Sequence, residues 1–316
     1  MLLINLLLFL LSCIILVISG SFLVKTLSKI ASFLRVSEFL AGFVIMAFST
    51  SIPELFVGIT AALGKNPALA LGTVIGSNIA DLTIIVGIII VLARGIDIKS
   101  KFMKRDSMYM VFIAALPMGL MFIGSKLSRI DGAILVAVFI SYVYFLIKER
   151  TKFRKEVEDG IRRKDIVLAI FLFCISLFAL FFSAEFVVKY ATLLAIDLAL
   201  PSILIGLFII AIGTSLPELV FGTKSVLAKH SEMALGDIIG AVVVNSTLVL
   251  GVTALIYPIT ANFLFFLSSA VFMIIITFLF ATFVESGKRL YWKEGVSLIM
   301  LYMFFIMIEF YVKTLG

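Results

Sequence analysis

The sequence predicts an all-α polytopic membrane protein with ten transmembrane helices in two inverted five-helix repeats. Three observations support this fold class: an apolar composition, ten apolar runs of membrane-spanning length and an internal duplication. Of the 316 residues, 63% are hydrophobic and 14% are charged, and the mean hydropathy is +1.25. Soluble domains carry roughly 25% charged residues, so this chain has too few charges to keep a soluble surface wetted.

The ten apolar runs define the predicted helices, because about 20 apolar residues are needed to cross a bilayer. They lie at residues 2–24, 37–63, 68–93, 107–124, 131–147, 165–188, 201–226, 233–257, 262–283 and 295–314. No basic residue precedes the first run, and no small-residue cleavage site follows it. We therefore expect this run to remain as a helix and not to be removed as a signal peptide.

The basic residues predict how the helices are oriented. With the N-terminus outside, the inner connections contain 21 of the 26 Lys and Arg residues, as the positive-inside rule requires. These connections are residues 25–36, 94–106, 148–164, 224–232 and 284–294. We therefore expect a multi-pass protein of the plasma membrane with both termini extracellular. The net charge of +7 is assigned to this orientation and not to nucleic-acid binding.

A gap-free shift of 164 residues superposes the two halves of the sequence, and 18 of the 50 residues between 41 and 90 are identical to their partners. The clearest matches are SIPEL (51–55) with SLPEL (215–219) and ALGTVIG (70–76) with ALGDIIG (234–240). Each copy contains five spans, an odd number, so the second copy enters the membrane inverted. We expect one membrane domain built from residues 1–155 and 156–316, an arrangement typical of transporters.

Two polar clusters interrupt the second and seventh spans at mid-membrane depth. Each cluster places a Thr, a Ser and a Glu on one helix face. The residues are Thr50, Ser51 and Glu54 in the second span and Thr214, Ser215 and Glu218 in the seventh. Pro53 and Pro217 lack the backbone N–H that continues a helix, so each bends its helix and frees carbonyl acceptors. Carboxylate, hydroxyl and carbonyl oxygens are hard ligands suited to Ca²⁺ or Na⁺.

The third and eighth spans complete the predicted cation site. Ser77 and Asp81 share one helix face, and Asp81 and its repeat partner Asn245 lie near the centres of their spans. An ionised side chain at the bilayer centre costs at least about 2.5–3.5 kcal/mol. Three acids at this depth, Glu54, Asp81 and Glu218, therefore indicate ion binding. The alternative is that protonated carboxyl groups form hydrogen bonds between helices.

Other candidate groups are assigned structural roles. Asp237 is expected to cap the start of the eighth helix. Cys13 and Cys174 both lie within apolar spans and are expected to pack there without a disulfide. His230, the single histidine, lies in a loop, so a histidine metal cluster is not expected. No nucleophile–base pair accompanies the acids, so we expect neither an enzyme nor a resident cofactor.

The motifs TSIPE at 50–54, TSLPE at 214–218 and GSNIAD at 76–81 resemble those of the sodium/calcium exchanger family of the calcium/cation antiporter superfamily, in its prokaryotic form without a regulatory domain. The resemblance implies alternating access, with the first and sixth helices sliding over a steadier core. It implies a Ca²⁺ site between Glu54 and Glu218, with oxygens from Thr50 and Thr214. It also implies flanking Na⁺ sites formed by Ser51, Ser77, Ser215 and the carbonyls of Ala47 and Ala211.

Some positions depart from the family pattern and leave the counter-ion open. Ala241 stands where family members usually carry a serine, and the acid and amide at Asp81 and Asn245 are interchanged between the repeats. We expect a lipid-embedded monomer that exchanges Ca²⁺ for Na⁺ across the plasma membrane. The alternatives are Ca²⁺/H⁺ antiport, K⁺-dependent cation/Ca²⁺ exchange and a passive divalent channel.

Overall fold

The structure is a computed structural model, and it describes residues 2–34, 36–65, 67–98, 101–150, 163–197, 215–260 and 263–315. Within these ranges, eight helical stretches are long and apolar enough to cross a membrane. The predicted all-α polytopic class is therefore confirmed. The predicted seventh span, 201–226, is described only from residue 215, and the predicted boundary between residues 155 and 156 lies outside the described residues.

The elements of the two halves follow in the same order wherever both are described. Those of the first half are α1 (Leu2–Leu34), α2 (Glu38–Leu40), the π-helical segment πA (Ala41–Met46), α3 (Ala47–Thr50), α4 (Ile52–Leu63), α5 (Pro67–Ala80), πB (Asp81–Ile85), α6 (Val86–Leu92), β1 (Ile96–Asp97), α7 (Lys101–Gly124) and α8 (Arg129–Arg150). Those of the second half are α9 (Arg163–Asp197), α10 (Leu216–Leu227), α11 (Ser231–Val244), πC (Asn245–Val249), α12 (Leu250–Ile256), α13 (Phe263–Ser286), β2 (Arg289–Leu290) and α14 (Trp292–Leu315).

The offset of 164 residues that relates the sequence halves also relates their helices. Both ends of α4, α5, πB and α6 recur at this offset as the ends of α10, α11, πC and α12. The single-turn π-helical segments recur with the α-helices around them, so the irregular parts of the third and eighth spans are duplicated as well. The two copies therefore share their local backbone conformation in detail.

The halves interlock through contacts that are reciprocal, as expected for a pseudo-two-fold axis. A Cβ placed at Gly58 would lie 2.5 Å from the Thr253 hydroxyl oxygen. The reciprocal pair, Gly222 with Ile89, is also in close contact. Because Gly222 and Ile89 are the repeat partners of Gly58 and Thr253, each half presents the same surface to the other.

Two short backbone pairings close the loops of the bundle. β1 pairs antiparallel with β2, with Ile96 opposite Leu290. Leu127 and Ile259 form an isolated bridge, which lies beyond the C-terminal end of α7 and therefore at the opposite end of the bundle. The 164-residue offset relates the two pairings to within one residue. An all-helical prediction does not include these pairings, because each involves only one or two residues per chain segment.

Buried apolar side chains form two clusters. The larger cluster draws on α5 to α8 and α11 to α14. The smaller cluster joins α1 and α9, which pack against each other along their lengths, and includes Leu23, Leu180 and Phe221. The pair α1 and α9 therefore rests on the rest of the bundle through its own apolar contact, centred on α10 and the start of α11.

The helices α1 and α9 are longer than predicted. The sequence placed their ends at residues 24 and 188, but the helices contain 33 and 35 residues and continue to Leu34 and Asp197. A helix of 33 residues is about 50 Å long, whereas the hydrocarbon core is about 30 Å thick. The prediction was wrong because Lys25 and Lys29 were assigned to a loop. Their long exposed side chains can reach headgroups from within a helix.

Candidate cation-binding site

Both predicted helix breaks are present. Ser51 leaves helical geometry, with φ −82° and ψ 3°, and α4 restarts at the next residue with Pro53 in its first turn. Ser215 has a similar conformation, with φ −95° and ψ 13°, and α10 begins directly after it. Proline is tolerated in the first turn of a helix because its missing N–H has no intrahelical acceptor there. The breaks place Glu54 and Glu218 in the first turns of α4 and α10.

Four carboxylates are buried in the middle of the bundle. The side chains of Glu54, Asp81, Glu218 and Asp237 belong to residues that are only 0–3% exposed. Glu218 interacts electrostatically with the other three, and Asp81 interacts with Glu54 and Asp237. The two predicted glutamates therefore face common surroundings, as a shared ion requires.

Hydroxyl groups from neighbouring helices donate to these carboxylates. The Ser77 hydroxyl of α5 donates to Glu54 Oε1 at 3.4 Å. The Thr50 hydroxyl of α3 lies 3.3 Å from Asp237 Oδ1 and 3.2 Å from the Met46 carbonyl, both of which can accept its hydrogen. The Ser215 hydroxyl interacts with the Asp81 carboxylate, although its position lacks the geometry of a hydrogen bond.

Seven buried oxygens of the site have no hydrogen-bond partner within the described part of the chain. They are Ser51 Oγ, Glu54 Oε2, Asp81 Oδ1, Ser215 Oγ, Glu218 Oε2, Asp237 Oδ2 and Asn245 Oδ1. A buried polar group left unpaired costs about 1–3 kcal/mol, and more when it is charged. More than 90% of such groups are paired in folded proteins. Seven unpaired oxygens from four spans therefore indicate a binding site for a cation that prefers oxygen.

No basic side chain balances the buried acids: among the residues whose burial is described, no Lys or Arg is buried. The described residues also contain no group of three acidic, histidine or cysteine side chains close enough to hold a metal by themselves. A cation at this site must therefore take hydroxyl, amide or carbonyl oxygens in addition to carboxylates. Ca²⁺, with six to eight oxygen ligands, is commonly bound in this mixed way.

An amide network joins α5 to πC beside the carboxylates. The Asn78 amide donates to the Ser246 hydroxyl at 2.9 Å and accepts from the Asn245 amide at 3.3 Å. All three residues are buried. Asn78 and Ser246 were not predicted as site residues, although a buried amide inside an apolar run was a signal that could have identified Asn78.

The prediction that Asp237 caps a helix is wrong. The helix α11 begins at Ser231, so Asp237 is its seventh residue and is fully buried. The loop residues before it are polar, and this made the start of the helix appear later in the sequence than it is. Asp237 instead belongs to the carboxylate group, on the same face of α11 as Ala241 and Asn245 because these residues are four apart.

Two of the predicted ligands, Thr214 and Ala211, lie outside the described residues. Ala47 is buried, and its carbonyl accepts the backbone N–H of Ser51 at 3.1 Å. A carbonyl oxygen has two lone pairs, so this bond leaves acceptor capacity beside the helix break. The other predicted ligands are all buried around the two breaks, namely Thr50, Ser51, Glu54, Ser77, Asp81, Ser215, Glu218 and Asn245.

A cavity of about 800 Å³ opens at one end of the bundle. This end, called here the cavity end, is where α2 and α11 begin and where α6 and α10 finish. The lining includes Glu38, Arg94, Asp97, Lys229 and Glu232. These charges make the cavity hydrophilic, and the four helices that border it are those that hold the buried carboxylates.

Comparison with known proteins identifies related chains. The family model described as "Sodium/calcium exchanger protein" matches residues 4–148 and 168–311. "Sodium/calcium exchanger MaX1" of Methanosarcina acetivorans is 30% identical, over 99% of this chain and 100% of the relative. "Inner membrane protein YrbG" of Escherichia coli is 30% identical, over 77% of each chain.

A solved structure has the same fold. The sodium-calcium exchanger NCX_Mj, in crystals soaked with Na⁺ and Sr²⁺, superposes with a TM-score of 0.84 over 97% of this chain and 99% of that chain, at 25% sequence identity. A similar superposition is found for NCX_Mj soaked without Na⁺ and Ca²⁺, with a TM-score of 0.81. The helix arrangement described above is therefore that of a known polytopic exchanger over nearly its whole length.

Proposed function

The chain belongs to the sodium/calcium exchanger family, and we propose that it exchanges Ca²⁺ for Na⁺ across a membrane by alternating access. The observation that carries this proposal is the set of seven unpaired, buried oxygens around Glu54 and Glu218. They are hard ligands of the kind that Ca²⁺ and Na⁺ prefer, and they come from both repeats. The family is a family of transporters, which agrees with the absence of an enzymatic role for this site.

In the proposed site, Glu54 and Glu218 hold Ca²⁺ between them, with Thr50 and Thr214 supplying further oxygens. Two carboxylates neutralise one Ca²⁺, and neutral oxygens complete its coordination. Na⁺ ions bind around this position through the remaining candidate oxygens. These are provided by Ser51, Ser77, Ser215, Asp81, Asn245 and the carbonyls of Ala47 and Ala211.

Coupling follows from competition for the same oxygens. If Na⁺ and Ca²⁺ share ligands, the site cannot hold its full set of both ions at once. The empty site carries uncompensated charge in a medium of low dielectric constant, so changing sides without ions is costly. Each tenfold gradient supplies about 1.4 kcal/mol per ion. Several Na⁺ ions moving inward can therefore drive one Ca²⁺ outward.

The proposed movement is a displacement of α1 and α9 over the remaining helices. The two long helices pack on each other, and their smaller apolar cluster is separate from the main core. Apolar contacts are not directional, so such an interface can slide with little change in energy. The buried oxygens belong to α3, α4, α5, α10, α11 and the π-helical segments, which stay fixed in this scheme.

The remaining assignments complete the proposal. The protein is a monomer in the plasma membrane, with both termini extracellular and its repeats divided near residue 155. The cavity end, which carries the basic residues Arg94 and Lys229, then faces the cytoplasm. Single cysteines introduced at Glu285 and Lys313 should be labelled from opposite sides of sealed cells by an impermeant maleimide. Labelling of both from the same side would contradict this orientation.

The exchange itself is tested in proteoliposomes loaded with Ca²⁺. An inward Na⁺ gradient should drive Ca²⁺ release, whereas a pH gradient or a K⁺ gradient alone should not. Release driven only by the pH gradient would replace Na⁺ with H⁺ as the counter-ion. Release without any counter-ion would indicate a passive channel, and a dependence on K⁺ together with Na⁺ would indicate K⁺-dependent exchange.

A further inference from the structure

Asp237 breaks the symmetry of the site. Its repeat partner, 164 residues earlier, is Thr73, and the repeat partner of Asp81 is Asn245. Each aspartate is thus matched by a neutral residue, whereas Glu54 and Glu218 match each other. The two halves therefore present the same glutamates and different aspartates, so any function of the aspartates belongs to one side of the site only.

Both aspartates lie on the side of the site that faces the cavity end. At 1.5 Å per residue, Asp237 is about 9 Å from the start of α11 and Asp81 about 16 Å from the end of α6. Their neutral partners lie farther away on the same helices, Asn245 at about 21 Å and Thr73 at about 28 Å. The pseudo-two-fold axis passes between these pairs, so extra negative charge is concentrated in the half that faces the cavity.

The side chains around the aspartates are arranged as ligands. Asp237 is fully buried, its Oδ1 is 3.3 Å from the Thr50 hydroxyl, and its Oδ2 has no partner in the described structure. Asp81 and Asp237 interact electrostatically. The buried Ser215 hydroxyl, also without a hydrogen-bond partner among the described residues, lies beside Asp81. These oxygens come from four helical segments, αs 3, 5/πB, 10 and 11, and converge on one position.

The charges at the site require more than one bound ion. Four buried carboxylates carry up to four negative charges, and no buried Lys or Arg among the described residues opposes them. A Ca²⁺ ion at Glu54 and Glu218 compensates two. Up to two negative charges then remain on Asp81 and Asp237, in surroundings where an uncompensated charge is strongly disfavoured. Another cation bound there would lower the energy of the Ca²⁺-loaded state.

We propose that Asp81 and Asp237, with the hydroxyls of Thr50 and Ser215, bind an alkali-metal cation that stays in place when Ca²⁺ occupies the glutamate site. This inference rests on the proposed function and adds an ion to it. A monovalent cation fits better than a second divalent cation, because its repulsion with the neighbouring Ca²⁺ is half as large at the same distance. Hard carboxylate and hydroxyl oxygens suit Na⁺ and K⁺ alike.

The test measures the thermal unfolding midpoint of the purified chain in detergent at saturating Ca²⁺. NaCl or KCl replaces choline chloride at constant ionic strength. A ligand that binds only the folded state raises the midpoint, so at least one alkali cation should raise it for the wild type. Asp237→Asn should abolish this rise and retain ⁴⁵Ca²⁺ binding. Asp237→Thr, which copies the repeat partner Thr73, is a second variant should the amide not fold, and Glu285→Gln is the matched surface control.

The outcomes separate the possibilities. A rise with NaCl that is lost in both Asp237 variants and kept in Glu285→Gln supports a Na⁺ site, and the same pattern with KCl supports a K⁺ site. If Na⁺ only competes with Ca²⁺ for the glutamates, NaCl will leave the wild-type midpoint unchanged or lower it, and the proposal is overturned. A rise that persists in the Asp237 variants also overturns it. Failure of Ca²⁺ exchange in wild-type proteoliposomes would refute the proposed function independently of these measurements.

Discussion

Glu54 and Glu218 show how single residues produce ion binding in this bundle. Each sits in the first turn of a helix that restarts in mid-membrane, and each has one oxygen that no described residue satisfies. Burial of a carboxylate without a partner is unfavourable. The same burial makes the carboxylate a strong ligand, because little water competes with the ion. Binding energy at the site therefore comes from residues that destabilise the empty protein.

Replacing either glutamate with glutamine should abolish Ca²⁺ transport. Glu54→Gln and Glu218→Gln keep the side-chain shape and remove one of the two charges that balance Ca²⁺. We expect at least a tenfold loss of ⁴⁵Ca²⁺ uptake, which corresponds to about 1.4 kcal/mol, with the protein still inserted and folded. Glu285→Gln, an exposed residue at the end of α13, is the matched control. Normal uptake by either site variant would remove it from the Ca²⁺ site.

A serine at Ala241 should strengthen Na⁺ binding. Ala241 is fully buried, one turn from Asp237 and one turn from Asn245. A hydroxyl added there supplies an oxygen, and one hydrogen bond or weak ligand contributes about 0.5–1.5 kcal/mol. The Na⁺ concentration for half-maximal Ca²⁺ release should therefore fall roughly two- to tenfold. Ala114→Ser, at a buried alanine of α7, should not change it. An unchanged Na⁺ response in Ala241→Ser would show that this position does not coordinate Na⁺.

The sequence was sufficient for the residues whose chemistry conflicts with their surroundings. Glu54, Asp81 and Glu218 stand out because charged residues are rare in apolar runs. Asp237 is equally buried, but it follows a polar loop closely, so its distance from water could not be judged without the helix boundary. Asn78 was missed since its partner, Ser246, lies 168 residues away and no local pattern predicts that contact.

At the scale of helices, glycine pairs determine how closely the two halves approach. A Cβ at Gly87 would lie 2.7 Å from the Gly295 carbonyl oxygen, and a Cβ at Gly132 would lie 2.7 Å from that of Gly251. Gly87 and Gly251 are repeat partners, so the same crossing is built twice. Small residues permit close backbone contact between membrane helices. These crossings hold α6 against α14 and α12 against α8, beside the buried site.

Alanine at these crossings should destabilise the bundle. Gly87→Ala and Gly251→Ala place a methyl group against backbone atoms, which cannot move aside as a side chain can. Overpacking of this kind costs about 1–3 kcal/mol, so the thermal unfolding midpoint in detergent should fall. Gly119→Ala in α7 is the control, because a Cβ there meets nothing within 4 Å and alanine favours helix over glycine. Equal midpoints for the crossing variants and Gly119→Ala would contradict close packing at the crossings.

Helix existence was predictable and helix detail was not. The apolar runs located the spans, and the prolines located the breaks near Ser51 and Ser215. The π-helical segments at Asp81–Ile85 and Asn245–Val249 were not predicted, because an extra residue in one turn leaves no distinct periodicity in a uniformly apolar helix. The ends of α1 and α9 were misplaced because a basic residue near the membrane surface is compatible with either a loop or a helix.

At the scale of the whole molecule, the pair α1 and α9 should move relative to the remaining helices during transport. The contact between α1 and α10 offers a way to block this movement. A Cβ built at Gly20 of α1 would lie 3.6 Å from the Val220 Cβ of α10. Disulfides require a Cβ–Cβ distance of about 3.5–4.5 Å. Cysteines at these two positions can therefore form a bond without rearrangement of the backbone.

The variant with Gly20→Cys and Val220→Cys is made in a background with Cys13→Ala and Cys174→Ala, which removes both native thiols. Oxidation should reduce Na⁺-driven Ca²⁺ release at least tenfold, and a reductant should restore it, since the bond fixes a sliding helix to the stationary bundle. Each single-cysteine variant, oxidised in the same way, should keep its activity. The buried carboxylates are untouched by the bond, so ⁴⁵Ca²⁺ binding should persist while transport stops. Full transport by the cross-linked chain would mean that α1 does not slide over α10, and access to the site would then have to change by movement elsewhere in the bundle.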